Sequence, residues 1–271
     1  MNKEEKVLTE ELVKELGLDK VEVITSDMLE GYTIIGTYAF DGCFYLTSIA
    51  IPDSVTSIEN NAFRSCSSLT SITIPNSVTN IGWGSFWGCS SLTSIIIPNS
   101  ITSIGNYAFE DCSSLTSITI PNSVTNIGEW AFSWCSSLTS ITIPKSVANI
   151  GFVAFYACNK LKKVIIVDKP YEAQEVTNGK CKAYKAFKGD MTCHEFQYEE
   201  GKTYEIEDEP KLCKQGFHAC LNLADVFTYY GGVIGKDIVV HEVEMENVSE
   251  DYNKGDSKVV SKKITIGKRI L

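Results

Sequence analysis

No apolar run in the 271 residues approaches the roughly 20 that cross a bilayer as a helix, so no membrane span is expected. The first residues, MNKEEKVLTEELVKELGLDKVEVI, mix acids and bases and hold no apolar signal core. They read as the start of a cytoplasmic protein, with a surface or secreted location implied only if a leader was removed. Basic residues are in deficit: 24 Lys and Arg stand against 34 Asp and Glu, a net charge of −10. Nucleic-acid partners are disfavoured, because binding to a phosphate backbone needs a basic footprint. There is no block of like charge, and between Cys43 and Cys158 charge of either sign is scarce.

The chain is not poor in cysteine, and its ten cysteines are not scattered. Cys43, Cys66, Cys89, Cys112, Cys135 and Cys158 recur every 23 residues, one per unit. So do Leu46, Leu69, Leu92, Leu115 and Leu138, closed by Leu161, and the prolines Pro52, Pro75, Pro98, Pro121 and Pro144. The unit reads C-x-x-L-T-S-I-x-I-P-x-S-V-x-x-I-x-x-x-A-F-x-x. A strict period of this length marks a solenoid, whose layers bury their apolar faces only against one another. Cysteines at equivalent layer positions are then small buried hydrophobes, in preference to a disulfide ladder.

Within a unit, Leu69, Ile72 and Ile74 face inward while Thr70, Ser71 and Thr73 face out. That alternation predicts a short strand, ended by a proline that cannot extend the ladder. V-T-N-I-G predicts a second short strand, with Val78 and Ile81 inward and Gly82 at the bend. A-F-x-x-C predicts a short helical or 3₁₀ turn that points Phe86 and Cys89 into the stack.

C-S-S-L-T-S-I-T-I-P-N-S-V-T-N-I-G-x-x-A-F resembles the BspA-type bacterial leucine-rich repeats over about residues 30 to 166. The resemblance implies a right-handed, gently curved solenoid. Some relatives are surface adhesins with export signals; this chain shows no such signal, and adhesion is not carried over. The fold expected is mainly β, the 23-residue-repeat solenoid followed by a small α+β domain. Its parts are an N-terminal cap at 1–30, repeats at 31–167, a linker at 168–182 and the C-terminal domain at 183–271.

The outward Thr and Ser positions hold no catalytic group, metal ligand or fixed charge. Variety sits in the slots flanking A-F, at Trp83, Trp87, Tyr107, Trp130, Trp134, Phe152 and Tyr156. All four tryptophans of the chain fall there. Aromatics are over-used at protein interfaces, and they also pack as spacers between turns; both readings stand at this point. The protein partner's identity is not encoded.

The cap reads T-E-E-L-V-K-E-L, with Thr9 as N-cap, Leu12, Val13 and Leu16 on one side, and Gly17 as a stop. V-E-V-I then starts the sheet. The C-terminal domain holds all three histidines, His194, His218 and His241, and the cysteines Cys181, Cys193, Cys213 and Cys220. Short alternating strands dominate, with one helix expected from Asn222 to Tyr230. A metal site from Cys193, His194, Cys213, His218 and Cys220 lacks paired C-x-x-C or H-x-x-x-H spacing, so no metal is assigned. A thiol nucleophile at Cys220, beside His218 or His194, has no further activating signature, and no catalytic residue is assigned.

K-Q-G-F-H-A-C-L-N-L-A-D-V-F-T-Y-Y resembles the central strand and helix of ADP-ribosyltransferases. Gly216 and Ala219 fall in register, His218 stands at the position of the nicotinamide-stacking tyrosine, and Tyr229 or Tyr230 ends the helix. The resemblance implies NAD as ligand. Two family residues are missing. Tyr184, Lys185 and Phe187 occupy the first-strand region in place of a histidine. Asp256, Ser257 and Lys258 stand where the closing strand should open with glutamate, which implies binding without efficient transfer. The leading expectation is a non-enzymatic interaction scaffold without cofactor; the alternative is an NAD-binding or ADP-ribosyltransferase-like domain targeted by the repeats.

Overall fold

The structure, a computed structural model, describes residues 5–166 continuously. Beyond them it describes 169–172, 180–188, 192–193, 196–198, 200–205, 217–220, 226, 232–233, 238–249 and 258–269. Each repeat forms one coil of a solenoid with three sides. The L-T-S-I-x-I run supplies the first side, in strands such as Ser71–Thr73, Ser117–Thr119 and Ser140–Ile143. These pair in parallel one period apart, Ser48 with Ser71, Ile141 with Val164 and Ser140 with Ser117. The V-x-x-I run supplies the second side, with Ile58 beside Ile81 and Ile127 beside Ile150.

The expected alternation holds. Leu69, Ile72 and Ile74 are buried, and Thr70, Ser71 and Thr73 are exposed. The outward threonines also clamp neighbouring coils. The Thr70 hydroxyl donates to the carbonyl of Thr47 at 3.0 Å and that of Thr139 to Thr116 at 3.1 Å. On the second side Thr125 does the same to Thr102 at 3.2 Å. One coil breaks the first-side ladder: residues 94–97 form no strand, and Ile96, where other coils carry Thr73 and Thr119, is 81% exposed.

The third side corrects the helical expectation for A-F-x-x-C. These segments are hydrogen-bonded turns with no helix, because the residues two before and two after each phenylalanine are left-handed. Tyr107 has φ 58° and Asp111 φ 55° around Phe109; Gly84 and Gly88 hold these places around Phe86. Left-handed backbone costs a non-glycine residue about 1 kcal/mol, and here it aims N–H groups at the next coil. Tyr107, Phe109 and Asp111 donate to the carbonyls of Glu129, Ala131 and Ser133 at 2.9, 2.8 and 2.8 Å. Ala108, Glu110 and Cys112 bond back within their own coil instead. A helix would direct all of these donors inside one coil and leave the layers unjoined.

Phe40, Phe63, Phe86, Phe109, Phe132 and Phe155 stack through the interior at 5.2 to 5.6 Å, their planes within 6° of parallel. The periodic cysteines are buried free thiols. Apolar burial of this kind is worth about 1.5–3 kcal/mol for each large side chain, repeated in every layer.

Both ends are covered. Helix α1, Glu10–Glu15, begins at Thr9, whose hydroxyl accepts from the Leu12 N–H at 3.3 Å. Val13 is buried, whereas Leu16, expected beside it, lies outside and is exposed. Gly17 ends the helix in the left-handed region. Strands Val7–Leu8 and Val23–Ile24 open the two sheets in parallel. At the far end the direction reverses: Lys169–Glu172 pairs antiparallel with Lys163–Ile166, and Gly232–Val233 with Asn149–Ile150. The segment expected as a linker at 168–182 therefore contains a strand, and the next strand already begins at Lys180. Pro170 sits in the outer strand of this hairpin, where its missing N–H is tolerated.

Beyond the hairpin, the described residues are antiparallel strands. Ile238–Val248 pairs with Lys180–Lys188 on one side and Lys258–Arg269 on the other. Phe217–Cys220 bridges Lys180–Lys188 and Lys258–Arg269, so the hydrogen bonding closes on itself. Cys220, Val226 and Val240 join the apolar cluster of the solenoid. The helix expected from Asn222 to Tyr230 lies outside the described residues except at Val226, which is helical.

Candidate functional site

The turns of the third side present four slots per coil: three and two residues before the core phenylalanine, and one and two after it. Consecutive coils place matching slots next to one another, so each slot becomes a column. The three-before column runs Asn60, Trp83, Asn106, Glu129, Phe152; the two-before column runs Asn61, Gly84, Tyr107, Trp130, Val153. The one-after column runs Asp41, Arg64, Trp87, Glu110, Ser133, Tyr156, and the two-after column includes Asp111 and Trp134.

Six of the seven aromatic residues singled out in the sequence come together through ring contacts. Trp83 lies 5.2 Å from Tyr107 and 6.0 Å, edge-on, from Trp87. Tyr107 stacks on Trp130 at 6.1 Å, only 3° from parallel. Tyr156 receives both Trp130 and Trp134 at 5.8 Å. The packing reading is realised, since the rings pack on one another, and several of them still reach solvent. Trp83 is 38%, Trp134 49%, Phe152 51% and Tyr156 41% exposed, whereas Trp87, Tyr107 and Trp130 are half-buried.

Charged side chains are set among the rings. The Arg64 guanidinium lies 5.1 Å from the centre of the Trp87 ring and 4.0 Å from the Asp41 carboxylate. Glu110 follows Trp87 in the same column. Burial, with Asp111 beside it, pushes the Glu110 carboxyl above the usual carboxylate range, and burial does the same for Asp111. One Glu110 carboxylate oxygen is buried without a hydrogen-bond partner. At one margin a depression of 460 Å³ is lined by Asn106, Asn126, Asn149, Glu129 and Phe152. The carboxylates belong to this surface although the sequence reading, which followed only the aromatics, omitted them. Their columns were the available signal.

The nucleotide candidates are not assembled by the described residues. Gly216, Tyr229 and Tyr230 lie outside them, as do His194 and Cys213. His218 lies on Phe217–Cys220, its backbone opposite Val260, and Cys220 is buried. A different polar group stands out in the C-terminal strands. Lys185 and His241 are cross-strand partners, both buried. The Lys185 ammonium lies 5.8 Å from the Tyr198 ring, and His241 Nδ1 3.7 Å from a Glu200 carboxylate oxygen. The sequence reading missed Lys185, whose signal is its register with inward Cys181 and Ala183. Among the described residues no group of three or more His, Cys, Asp and Glu side chains forms a metal site, and no helix is long and apolar enough to cross a membrane.

Coils stacked in register around a ladder of leucine, isoleucine and phenylalanine define a leucine-rich-repeat solenoid. The model of the BspA type leucine rich repeat region matches six copies over residues 33–162 and 80–197, and the chain belongs to that family. A domain of unknown function, DUF7666, matches residues 181–271. Among solved structures, the T. pallidum leucine rich repeat protein is 33% identical, with 54% of this chain and 70% of that one covered and a TM-score of 0.52. A leucine rich cell surface protein from Faecalibacterium prausnitzii is 35% identical over 59% of this chain and 41% of its own, with a TM-score of 0.48. A leucine-rich repeat protein from Bacteroides ovatus is 36% identical over 49% and 40%, with a TM-score of 0.43. This chain thus spans about two fifths of each of the latter two. No curated protein matches it.

Proposed function

We propose that the chain is a non-catalytic scaffold whose third side docks a protein partner through the ribbon of Trp83, Trp87, Tyr107, Trp130, Trp134 and Tyr156. The supporting observation is the unbroken chain of ring contacts from Trp83 to Trp134, with several rings left exposed. Large, stiff side chains of this kind bury much area for little lost rotamer freedom. The rigid stack beneath holds them in place before binding, so little ordering cost remains.

Photo-crosslinking from position 87 or 156, each occupied by a ribbon aromatic, in the native host tests this reading. Wild type is expected to yield discrete crosslinked proteins that disappear when Trp83, Trp134 and Phe152 are all changed to Ser. Crosslinks that persist in that variant would reject the surface.

A further inference from the structure

We infer that the docking ribbon is built for an arginine-rich segment of its partner, with guanidinium groups laid on the aromatic rings and paired to the carboxylates between them. This rests on the proposed docking role and adds the chemistry of the occupant. Every carboxylate of the ribbon stands one coil from an aromatic residue in its own column: Glu110 from Trp87, Asp111 from Trp134, and Glu129 from Phe152. Coils hydrogen-bonded to one another lie about 4.8 Å apart. One flat cation can therefore touch a ring and a carboxylate together.

The chain already contains one completed example. In the one-after column, Asp41, Arg64 and Trp87 follow on successive coils, and the Arg64 guanidinium sits between its carboxylate at 4.0 Å and its ring at 5.1 Å. Further along the ribbon the rings and carboxylates repeat, but the slots between Trp83 and Tyr156 hold no Lys or Arg. Beyond the Arg64 guanidinium on Trp87, the ribbon thus offers negative charge and ring faces in alternation and supplies no further cation. Guanidinium fits both partners because it is planar and weakly hydrated, and it is always charged. Partial burial of Glu110 beside Asp111 disfavours their ionised forms, a penalty that an incoming cation relieves.

The test is titration of the full chain with a synthetic peptide of alternating arginine and glycine, followed by tryptophan fluorescence and calorimetry. The same peptide with citrulline in place of arginine is the uncharged control. Saturable binding is expected, weakened about tenfold or more by citrulline, by the combined change Glu110→Gln, Asp111→Asn and Glu129→Gln, and by Trp83→Ser with Trp134→Ser. Changing three carboxylates elsewhere, Glu15→Gln, Glu22→Gln and Asp53→Asn, should leave affinity within about twofold. An equal loss in that second triple would reduce the effect to net charge and overturn the inference.

The crosslinking result separates the two levels. If host crosslinks need the aromatic residues but survive Glu110→Gln, Asp111→Asn and Glu129→Gln, the cationic occupant is wrong and the docking surface stands. If they are indifferent to both sets, the two fall together. A cooperative melt for each variant confirms that the fold is intact.

Discussion

The thiol of Cys112 donates a 3.3 Å hydrogen bond to the main-chain carbonyl of Phe86, 26 residues earlier. The same bond links Cys66 to Phe40, Cys89 to Phe63, Cys135 to Phe109 and Cys158 to Phe132 at 3.0 to 3.2 Å. Each periodic cysteine from the second coil onward therefore fastens its coil to the one before, at the carbonyl of a ring already in the stack. Phe109 is held on both faces, 5.3 Å from Phe86 and 5.4 Å from Phe132. Phe109→Ala should cost about 3–5 kcal/mol in denaturant unfolding. A loss under about 1 kcal/mol would mean that the rings do not carry the stack.

The same thiols should be chemically silent. Burial pushes Cys89 up to about 12, and Cys66, Cys112 and Cys135 well above the ordinary thiol value. The thiolate is the reactive species, so iodoacetamide at pH 8 should leave these four unmodified in the folded protein and label them in urea. Peptide mapping by mass spectrometry reads the result. Equal labelling rates with and without urea would contradict the burial described.

Glycine is required at Gly128 by crowding alone: an added methyl would meet the Asn106 main-chain nitrogen at 2.5 Å. Gly128→Ala should destabilise by about 2 kcal/mol or more through forced separation of the coils. Gly17, with open space around it and φ +69°, gives the contrast. Gly17→Ala should cost only the backbone term of about 1 kcal/mol, as thermal melts of the two variants would show.

The raised Glu110 carboxyl fixes the sign of a pH effect. A carboxyl titrating higher in the native state than in the unfolded chain binds protons more readily when folded, so native stability improves as pH falls through its range. At pH 7 the ionised group opposes folding. Glu110→Gln should therefore melt higher than wild type at neutral pH, and the gain should fade toward pH 4, where wild type is protonated too. A gain that grows in acid would reverse the assignment.

The two central tryptophans should respond differently. Trp130 is half-buried between Tyr107 and Tyr156, and losing those ring contacts in Trp130→Ala should cost about 1–2 kcal/mol. Trp134, half exposed and in contact with Tyr156, should cost less than about 1 kcal/mol as Trp134→Ala. Denaturation midpoints decide, and an inverted order would show that the exposed ring serves packing instead.

The period and the alternation of L-T-S-I-T-I-P made the layers, their register and the buried thiols legible, because each rests on a spacing that repeats. The turn geometry was hidden. Tyr107, Trp130, Trp134 and even Val153 adopt positive φ, a conformation that Gly42, Gly84, Gly88 and Asn61 in the same columns advertise. The aromatic ribbon was visible as a set of residues, but its continuity was not, since ring contacts depend on how columns align across coils. The carboxylates at Glu110 and Asp111 escaped notice because charge is scarce in the repeats, and a lone acidic pair reads as ordinary surface. The closing strands at Lys169–Glu172 and Gly232–Val233 carry no repeat signature, so their antiparallel return follows only from the exposed edge that they cover.

That return has an evolutionary corollary. A parallel array accepts another identical layer at any interior junction, whereas strands running against it admit none. Unequal crossing-over within the C-S-S-L-T-S-I-T-I-P copies would lengthen or shorten the molecule by whole storeys, each about 4.8 Å tall, and leave its floor and roof untouched. The number of storeys, and with it the reach of whatever the wall displays, is a quantity that selection can adjust in single genetic steps.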